Sequence, residues 1–485
     1  MRVSIVLRYV GLVLLINALF MLIAGLISLM YGGDGFGALL YSAVVTALFG
    51  VFPLIFVPTP NRISNNEGLA IVVSGWILSC VVGMIPYILW GGEFTIANAW
   101  FESVSGYTTT GSTILIDIEA IPHGILFWRA ITHWLGGMGI IMFVLAVLPS
   151  LGTAGMILYR NEMSPVAMEN FKVNARTTMR IVLGVYVGLT ILETAALVIA
   201  GMNLFDAVTH SFATIATGGF SPKNASVAYY DSVTIETIIL FFMVISGLHF
   251  GLIFSFIFER SMNIFKSTIV RYYVLAMVIG TAIVTINVHG TNYDSWGDSL
   301  RFAAFQIASV GTSTGFANAD SAVWPALSQI LLMFFALQCA TAGSTSGGIK
   351  ADRIVMFGKA VIKQIKLLRH PRAIITVKLD NKKLHDDDLS LGVLYICLYI
   401  VVVAISGLLV VMLGVDAVEA FSGAIATMGN VGPGLGGVGS VGNFSQIPAL
   451  GKWIFSGDML LGRLEIYGML IFFLPSLWKE KSTVR

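Results

Sequence analysis

The stretch from Phe101 to Thr113, FESVSGYTTTGST, constrains this 485-residue chain more than any other. It opens as an apolar, helix-compatible segment, runs into three threonines and reaches Gly111 with no hydrophobic residue left to bury. A helix that crosses a bilayer needs about 20 apolar residues, so this one stops too soon. Yet it lies among apolar runs that are long enough. The shape that fits is a half-length helix that enters the membrane and returns as an extended strand. Non-helical backbone survives at that depth only where protein buries it or a water-filled cavity receives it, because an unpaired carbonyl in lipid is costly. Thr108 to Ser112 are therefore expected to line a pore.

Composition agrees with a membrane setting. Hydrophobic residues make up 56% of the chain and charged residues 11%, with a mean hydropathy of +0.87, which is the profile of a polytopic helical membrane protein. The 51 glycines suit helices that pack closely and break often. A net charge of +2 argues against nucleic acid as the main partner. Cys80, Cys339 and Cys397 each sit in an apolar run and have neither disulfide-framework nor zinc spacing. Arg2 and Arg8 precede an apolar run to Met30 that exceeds a signal-peptide core and leads to another span, so a retained helix is expected.

Apolar runs at about 9–30 and 38–57 form a hairpin around YGGDGFG, closed by the polar link PTPNRISNNEG. From there the chain repeats about every hundred residues: a span, a short half-helix, a loop rich in Gly and Thr or Asn, and a second span. The expected division is a hairpin at 1–62 and units at 63–155, 156–262, 263–384 and 385–485. First spans are expected near 68–90, 181–201, 272–289 and 391–413. Second spans are expected near 125–150, 233–258, Trp324 to Arg353, and up to Trp478.

Basic residues test this topology. With the N-terminus inside, the cytoplasmic stretches collect Arg2, Arg8, Arg62, Arg160, Lys172, Arg176, Arg180, Arg260, Lys266, Arg271, the run from Lys350 to Lys383, Lys479, Lys481 and Arg485. Only Arg129, Lys223, Arg301, Lys452 and Arg463 fall elsewhere. That asymmetry fits about ten spans and four re-entrant segments, with all four glycine loops on the outer side and both termini cytoplasmic. The link KAVIKQIKLLRHPRAIITVKLDNKKLHDDD reads first as a solvated, lipid-facing topogenic segment and, alternatively, as a docking surface for a cytosolic partner.

The loops align on Gly111 (TTTGS), Gly218 (ATGGF), Gly315 (STGF) and Gly432 (NVGPG), at intervals of 107, 97 and 117 residues. Any one alone reads equally well as a tight turn between helices. Four at near-equal spacing would bring four extended backbones face to face. A dehydrated monovalent cation needs a replacement shell of oxygens, which backbone carbonyls and threonine hydroxyls supply. Glycine permits the backbone angles that aim carbonyls at an axis, and half-helix C-termini add negative dipole ends. The candidate cation-binding residues are Thr109, Thr110 and Gly111; Ala216, Thr217 and Gly218; Ser313, Thr314 and Gly315; and Asn430, Val431 and Gly432. No Asp or Glu stands beside these glycines, so a carboxylate ring for divalent cations is absent.

Trp324 to Arg353 as one straight helix would be about 45 Å long, well beyond the hydrocarbon core. Its middle, ATAGSTSGG, is a poor helix former, so a break is expected, and a break at membrane depth needs a cavity. Arg463, in MLLGRLEIYG, is costly within a span and is expected to face a cavity or a partner. It could pair with Glu465 or a carbonyl instead; Lys350 could be a plain cytoplasmic anchor, and Glu102 could serve packing behind the first loop. His123, His133, His210, His249 and His289 share no ligand spacing. No nucleophile–base pair, phosphate-binding loop or dinucleotide fingerprint is present, which points to neither an enzyme nor a nucleotide site in this chain.

The loops TTTGS, ATGGFS, TSTGF and GNVGPG, together with ATAGSTSGGIKADR, closely resemble the Trk/Ktr/HKT superfamily of potassium transporters over essentially the whole chain. The additional hairpin resembles the TrkH branch. The resemblance implies an all-α polytopic fold in which four helix, pore-helix, filter and helix units surround a central pore. It implies potassium as substrate and as the only metal, bound at the filter, with Gly111 rather than serine favouring potassium over sodium. It further implies a gate formed by the intramembrane loop (Gly343, Ser344, Thr345, Ser346, Gly347, Gly348) with Lys350 and Arg463. A homodimer in a bacterial inner membrane, seated on a cytosolic TrkA-like ring that carries the nucleotide (ATP, ADP or NAD), is also implied. The alternatives are a sodium- or proton-coupled symporter, expected to show two inverted halves, and a potassium-binding subunit of an ATP-driven complex.

Overall fold

The computed structural model describes residues 1–60, 63–139, 175–380, 382–384, 386–475 and 478. Arg62, Arg160, Lys172, Lys479, Lys481, Arg485, residues 140–150 of the expected first-unit span and the expected boundary at 155/156 lie outside them. The described chain is helical apart from two two-residue strand pairs, Gln338–Cys339 with Ile349–Lys350 and Lys378–Leu379 with Lys382–Lys383.

The N-terminal hairpin is Val3–Met30 packed on Phe36–Phe56. Its helices approach closely because two glycines face each other: a Cβ on Gly11 would lie 2.6 Å from the Gly50 carbonyl, and one on Gly50 2.9 Å from that of Gly11. Asn17, fully buried, ties this hairpin to the pore-forming part, donating to Ser79 Oγ (3.1 Å) and accepting from the Tyr107 hydroxyl (2.7 Å).

Each unit then has its own first helix: Asn65–Gly83 with Ile85–Trp90, Ala175–Ile199, Thr268–Val288 and Asp386–Met412. A half-helix follows in each, Ile96–Tyr107, Leu204–Ile215, Trp296–Gly311 and Ala417–Met428. All four start where a short polar side chain accepts from the first turn: Thr95 from Asn98 N–H, Asn203 from Asp206, Ser295 from Gly297, Asp416 from Val418. Three of them have twelve residues, a rise of about 18 Å or roughly half a bilayer, and Trp296–Gly311 has sixteen.

The expectation of about ten spans counts each second helix as one span. Among the described residues six helices are long and apolar enough to cross a membrane, or seven if Val233–Ser246 and Phe250–Ile257, bent by 104°, count as one. The difference lies in the second helices. They end early in every unit, at Gly137, Ser246, Leu337 and Arg463, and new helices begin at Phe250, Ala351 and Ile466. The sequence reading placed a break in the third unit alone. On the perimeter, Phe49, Phe52, Ile55, Ile191, Val278 and Leu408 are largely exposed, as lipid-facing side chains should be.

Candidate functional site

Every half-helix closes with the same pair of backbone bonds. Thr109 N–H donates to Gly106 (3.1 Å) and Thr110 N–H to Ser105 (2.9 Å). The equivalents are Thr217 to Thr214 and Gly218 to Ala213, Ser313 to Val310 and Thr314 to Ser309, Asn430 to Thr427 and Val431 to Ala426. This is a Schellman closure, whose turning residue takes a left-handed conformation and is usually glycine. Here it is Thr109, Thr217, Ser313 or Asn430, at φ of 53°, 53°, 59° and 52°. Such residues cost on the order of 1–3 kcal/mol each and persist where the surroundings over-determine them.

Two residues on, the chain turns again at a glycine of positive φ: Gly111 (81°), Gly219 (82°), Gly315 (80°) and Gly432 (105°). The second loop is therefore one residue out of register with the sequence alignment on Gly218. Thr217, Gly218 and Gly219 are the counterparts of Thr109, Thr110 and Gly111. Ala216 is a helix end, equivalent to Thr108, Thr312 and Gly429. Gly218 is small for another reason: a Cβ there would run into the His133 ring.

The four glycines close a ring. A Cβ on Gly111 would overlap the carbonyl oxygen of Gly218, one on Gly219 that of Thr314, one on Gly315 that of Val431, and one on Gly432 would lie 2.7 Å from that of Thr110. Each unit thus sets a carbonyl against the bare Cα of its neighbour, in chain order and back to the first. The same four glycines line a cavity of about 80 Å³ with Ser112, Thr113, Ser221 and Arg129.

On the other side of the ring lies the intramembrane loop, between Ala326–Leu337 and Ala351–Arg369. Its hydroxyls meet two of the left-handed residues: Thr217 Oγ1 donates to Thr345 Oγ1 (3.2 Å), and Ser346 Oγ lies 2.8 Å from Ser313 Oγ. Gly347 donates its N–H to Ser313 Oγ (3.2 Å) and packs on Asn430, where a Cβ would collide. Asn430 in turn donates to Thr110 Oγ1 (3.0 Å) and the Met459 carbonyl (2.9 Å).

Carbonyls freed by the broken second helices hold the loop's surroundings together. Gly247 O accepts from Thr341 N–H (3.1 Å) and hydroxyl (3.0 Å), and Phe250 N–H donates to Gly343 O. Arg463 donates to the loop at Thr345 O and to Gly136 O (2.6 Å) and Gly137 O (3.1 Å). Of its two alternative partners the carbonyl is found, while Glu465 pairs with Arg353 at 2.8 Å. A cavity of about 190 Å³ below the loop is lined by Gly343 to Gly348, Lys350, Arg353, Arg463 and Glu465, and Lys350 is also the residue before helix Ala351–Arg369.

Sequence reasoning places Glu102 in packing behind the first loop but misses that it belongs to a layer shared by three units. Glu102, His210 and Gln306 each stand six residues before the helix ends Thr108, Ala216 and Thr312. All three are buried and bond the returning strand: Glu102 accepts from Thr113 and Ile114, His210 Nε2 meets Ser221 Oγ (3.0 Å), and Gln306 donates to Asn318 (3.3 Å) and Ala319 O (3.1 Å). The repeat alignment would have exposed that shared position, had it been extended back into the half-helices.

Comparison with known proteins matches residues 44–482 to the family described as TrkH, cation transport protein. The Trk system potassium uptake protein TrkH of Salmonella typhimurium strain LT2 is 38% identical over 98% of this chain and 99% of its own length. The protein of that name from Halomonas elongata is 35% identical over 99% and 100%. Among solved structures, the potassium transporter TrkH from Vibrio parahaemolyticus superposes with a TM-score of 0.88 at 32% identity, covering 99% of this chain and 100% of that one.

Proposed function

The chain belongs to the TrkH family of cation transport proteins, and from that premise we propose that it carries potassium into a bacterial cell along the axis of the glycine ring. The observation that carries this reading is the ring itself. The carbonyls of Thr110, Gly218, Thr314 and Val431 converge between four glycines that leave no side chain in the way. Such a ring replaces the hydration shell of a monovalent cation. The half-helix C-termini add their negative dipole ends, and the hydroxyls of Thr217 and Ser313 meet those of the intramembrane loop. The relatives are named for potassium uptake, which supports potassium as the substrate. Potassium is then the substrate and the only metal, bound at the filter, and transport rather than catalysis is the activity, with no cofactor held by this chain.

In this reading the loop from Gly343 to Gly348 is the gate, held shut by hydroxyl contacts to Thr217 and Ser313 and by Arg463, with Lys350 adding positive charge beneath. Helix Ala351–Arg369, basic and continuous with the loop, is where a cytosolic TrkA-like ring would act, nucleotide (ATP, ADP or NAD) being bound by that ring. The working form is a homodimer in the inner membrane with cytoplasmic termini. Four direct repeats, rather than two inverted halves, favour a channel-like path over coupled symport.

The test is potassium and sodium flux into vesicles holding the purified protein. Gly219→Ser puts a side chain against Thr314 O and is expected to lower potassium over sodium discrimination, as is Gly111→Ser against Gly218 O. If both variants discriminate as the parent does, the ring is not the filter and the reading fails.

A further inference from the structure

We propose that Glu102 and Arg129 are positioning residues for cation selection, a buried pair that fixes the first filter strand relative to the second. The proposal rests on the filter reading above and extends it to two side chains outside the ring. Glu102 lies on the first half-helix and Arg129 on the second helix of the same unit, both almost wholly buried, with Arg129 Nε 2.6 Å from Glu102 Oε1. The carboxylate holds the first strand just past its ring glycine: Thr113 Oγ1 donates to both oxygens (2.9 and 3.1 Å) and Ile114 N–H to Oε2 (3.0 Å). The guanidinium holds the second strand just past its own: Nη1 donates to Ser221 O (3.0 Å), and the group stacks 3.5 Å over the Phe220 ring. An unbroken path of directional contacts therefore runs from strand one, through the pair, to strand two.

Stability alone does not call for this arrangement. A buried ion pair loses so much hydration that an apolar pair of similar volume often serves as well. What an apolar pair lacks is fixed length and direction, which a charge-assisted bond supplies. The other unit boundaries are joined differently. Arg301 on the third half-helix bonds Glu236 of the second unit at 2.6 Å, and Glu236 accepts from Asn318 (2.8 Å). Units three and four meet through Ser440, which donates to Ala319 O (3.2 Å), and units four and one through Phe444 N–H to Thr113 O (2.8 Å). Asn224 does join the outer loops of units one and two, accepting from Ile118 N–H (2.6 Å), but further along both strands. Close to the ring, the Glu102–Arg129 pair is the charged link at that boundary, beside His133, whose Nδ1 accepts from Phe220 N–H (3.4 Å).

The experiment is the potassium-to-sodium flux ratio of the full-length protein in vesicles. Glu102→Gln keeps the shape and removes the charge; the ratio is expected to fall roughly tenfold, equivalent to about 1.4 kcal/mol of discrimination. Thr113→Val removes the hydroxyl that donates to Glu102 and accepts from Leu115 N–H, without leaving a buried charge unpaired, and should lower the ratio less, roughly threefold. Gly219→Ser is the reference. A parental ratio in both Glu102→Gln and Thr113→Val, alongside a lowered ratio in Gly219→Ser, overturns the proposal and leaves the filter reading standing. If Glu102→Gln does not accumulate as folded protein, Glu102→Asp takes its place beside Thr113→Val, and a parental ratio in those two overturns it equally. A parental ratio in Gly219→Ser removes the filter reading, and this proposal with it.

Discussion

Arg463 shows how a single residue is stabilised at a depth where it is costly. Insertion scales put an arginine at a helix centre at roughly 2.5–3.5 kcal/mol, so one that persists there faces a cavity or partners. Its partners include carbonyls of two broken regions, the loop at Thr345 and the first unit's helix end at Gly136 and Gly137. A bond from a charged donor contributes roughly 1.5–3 kcal/mol. If the loop is the gate as proposed, losing the one to Thr345 should shift it from closed to open by roughly ten- to a hundredfold. Arg463→Ala is accordingly expected to raise potassium flux measured without any partner subunit, and Arg463→Lys, lacking the fork that reaches two sites, to raise it less. Flux equal to the parent's in Arg463→Ala would detach this residue from gating. The arginine was legible in the sequence because a charge in an apolar run stands out. Gly219 was not, because two adjacent glycines look alike on paper. Only the backbone angle and the neighbouring carbonyl or imidazole separate Gly219 from Gly218.

Elements differ in how openly the sequence declares them. The half-helices were legible from their length, their recurrence and the loop that ends each one. The interruptions of the second helices were not, since a gap of two or three residues such as Gly247 to His249 or Leu464 to Glu465 leaves an apolar run looking continuous. Their carbonyl acceptors could not have been read from sequence, because their donors come from other units. The N-terminal hairpin offers a clean test of close packing at this scale. Gly50→Ala would press a methyl against Gly11 O and Leu15, and overpacking of this kind costs roughly 1–3 kcal/mol. Gly184→Ala, on Ala175–Ile199 with nothing within 4 Å of the new carbon, should be neutral or stabilising by up to about 1 kcal/mol. Melting of the two purified variants in detergent checks the contrast. Equal melting temperatures would mean the glycine contact does not hold the hairpin.

Across the whole molecule the four units share a backbone plan but not a chemistry. The contacts across their boundaries include an ion pair between units one and two, an ion pair with an asparagine between two and three, a serine between three and four, and Ser112, Asn430 and a backbone bond between four and one, and no repeat pattern in the sequence announces that difference. The ring glycines are correspondingly unequal. Gly432 has the most room, 2.7 Å to the carbonyl of Thr110, whereas a Cβ on Gly111, Gly219 or Gly315 would penetrate its neighbour's oxygen more deeply. Among the four Gly→Ala variants, Gly432→Ala should therefore retain the most potassium over sodium discrimination in the same flux assay; a larger loss there than at Gly315 would contradict the ring geometry. The joint between the last unit and the first has a further consequence, in time rather than space. Ser112 bonds Gly432 O and Asn430 bonds Thr110 across 320 residues of chain. At a synthesis rate of roughly 5–20 residues per second, three units wait about 5–20 s in the membrane before the fourth has been made. During that interval the Ser112 hydroxyl and the Thr113 carbonyl lack their fourth-unit partners, which in lipid is costly. A nascent chain of this design needs a shelter, the insertion machinery or its own intramembrane loop, until its last hundred residues arrive.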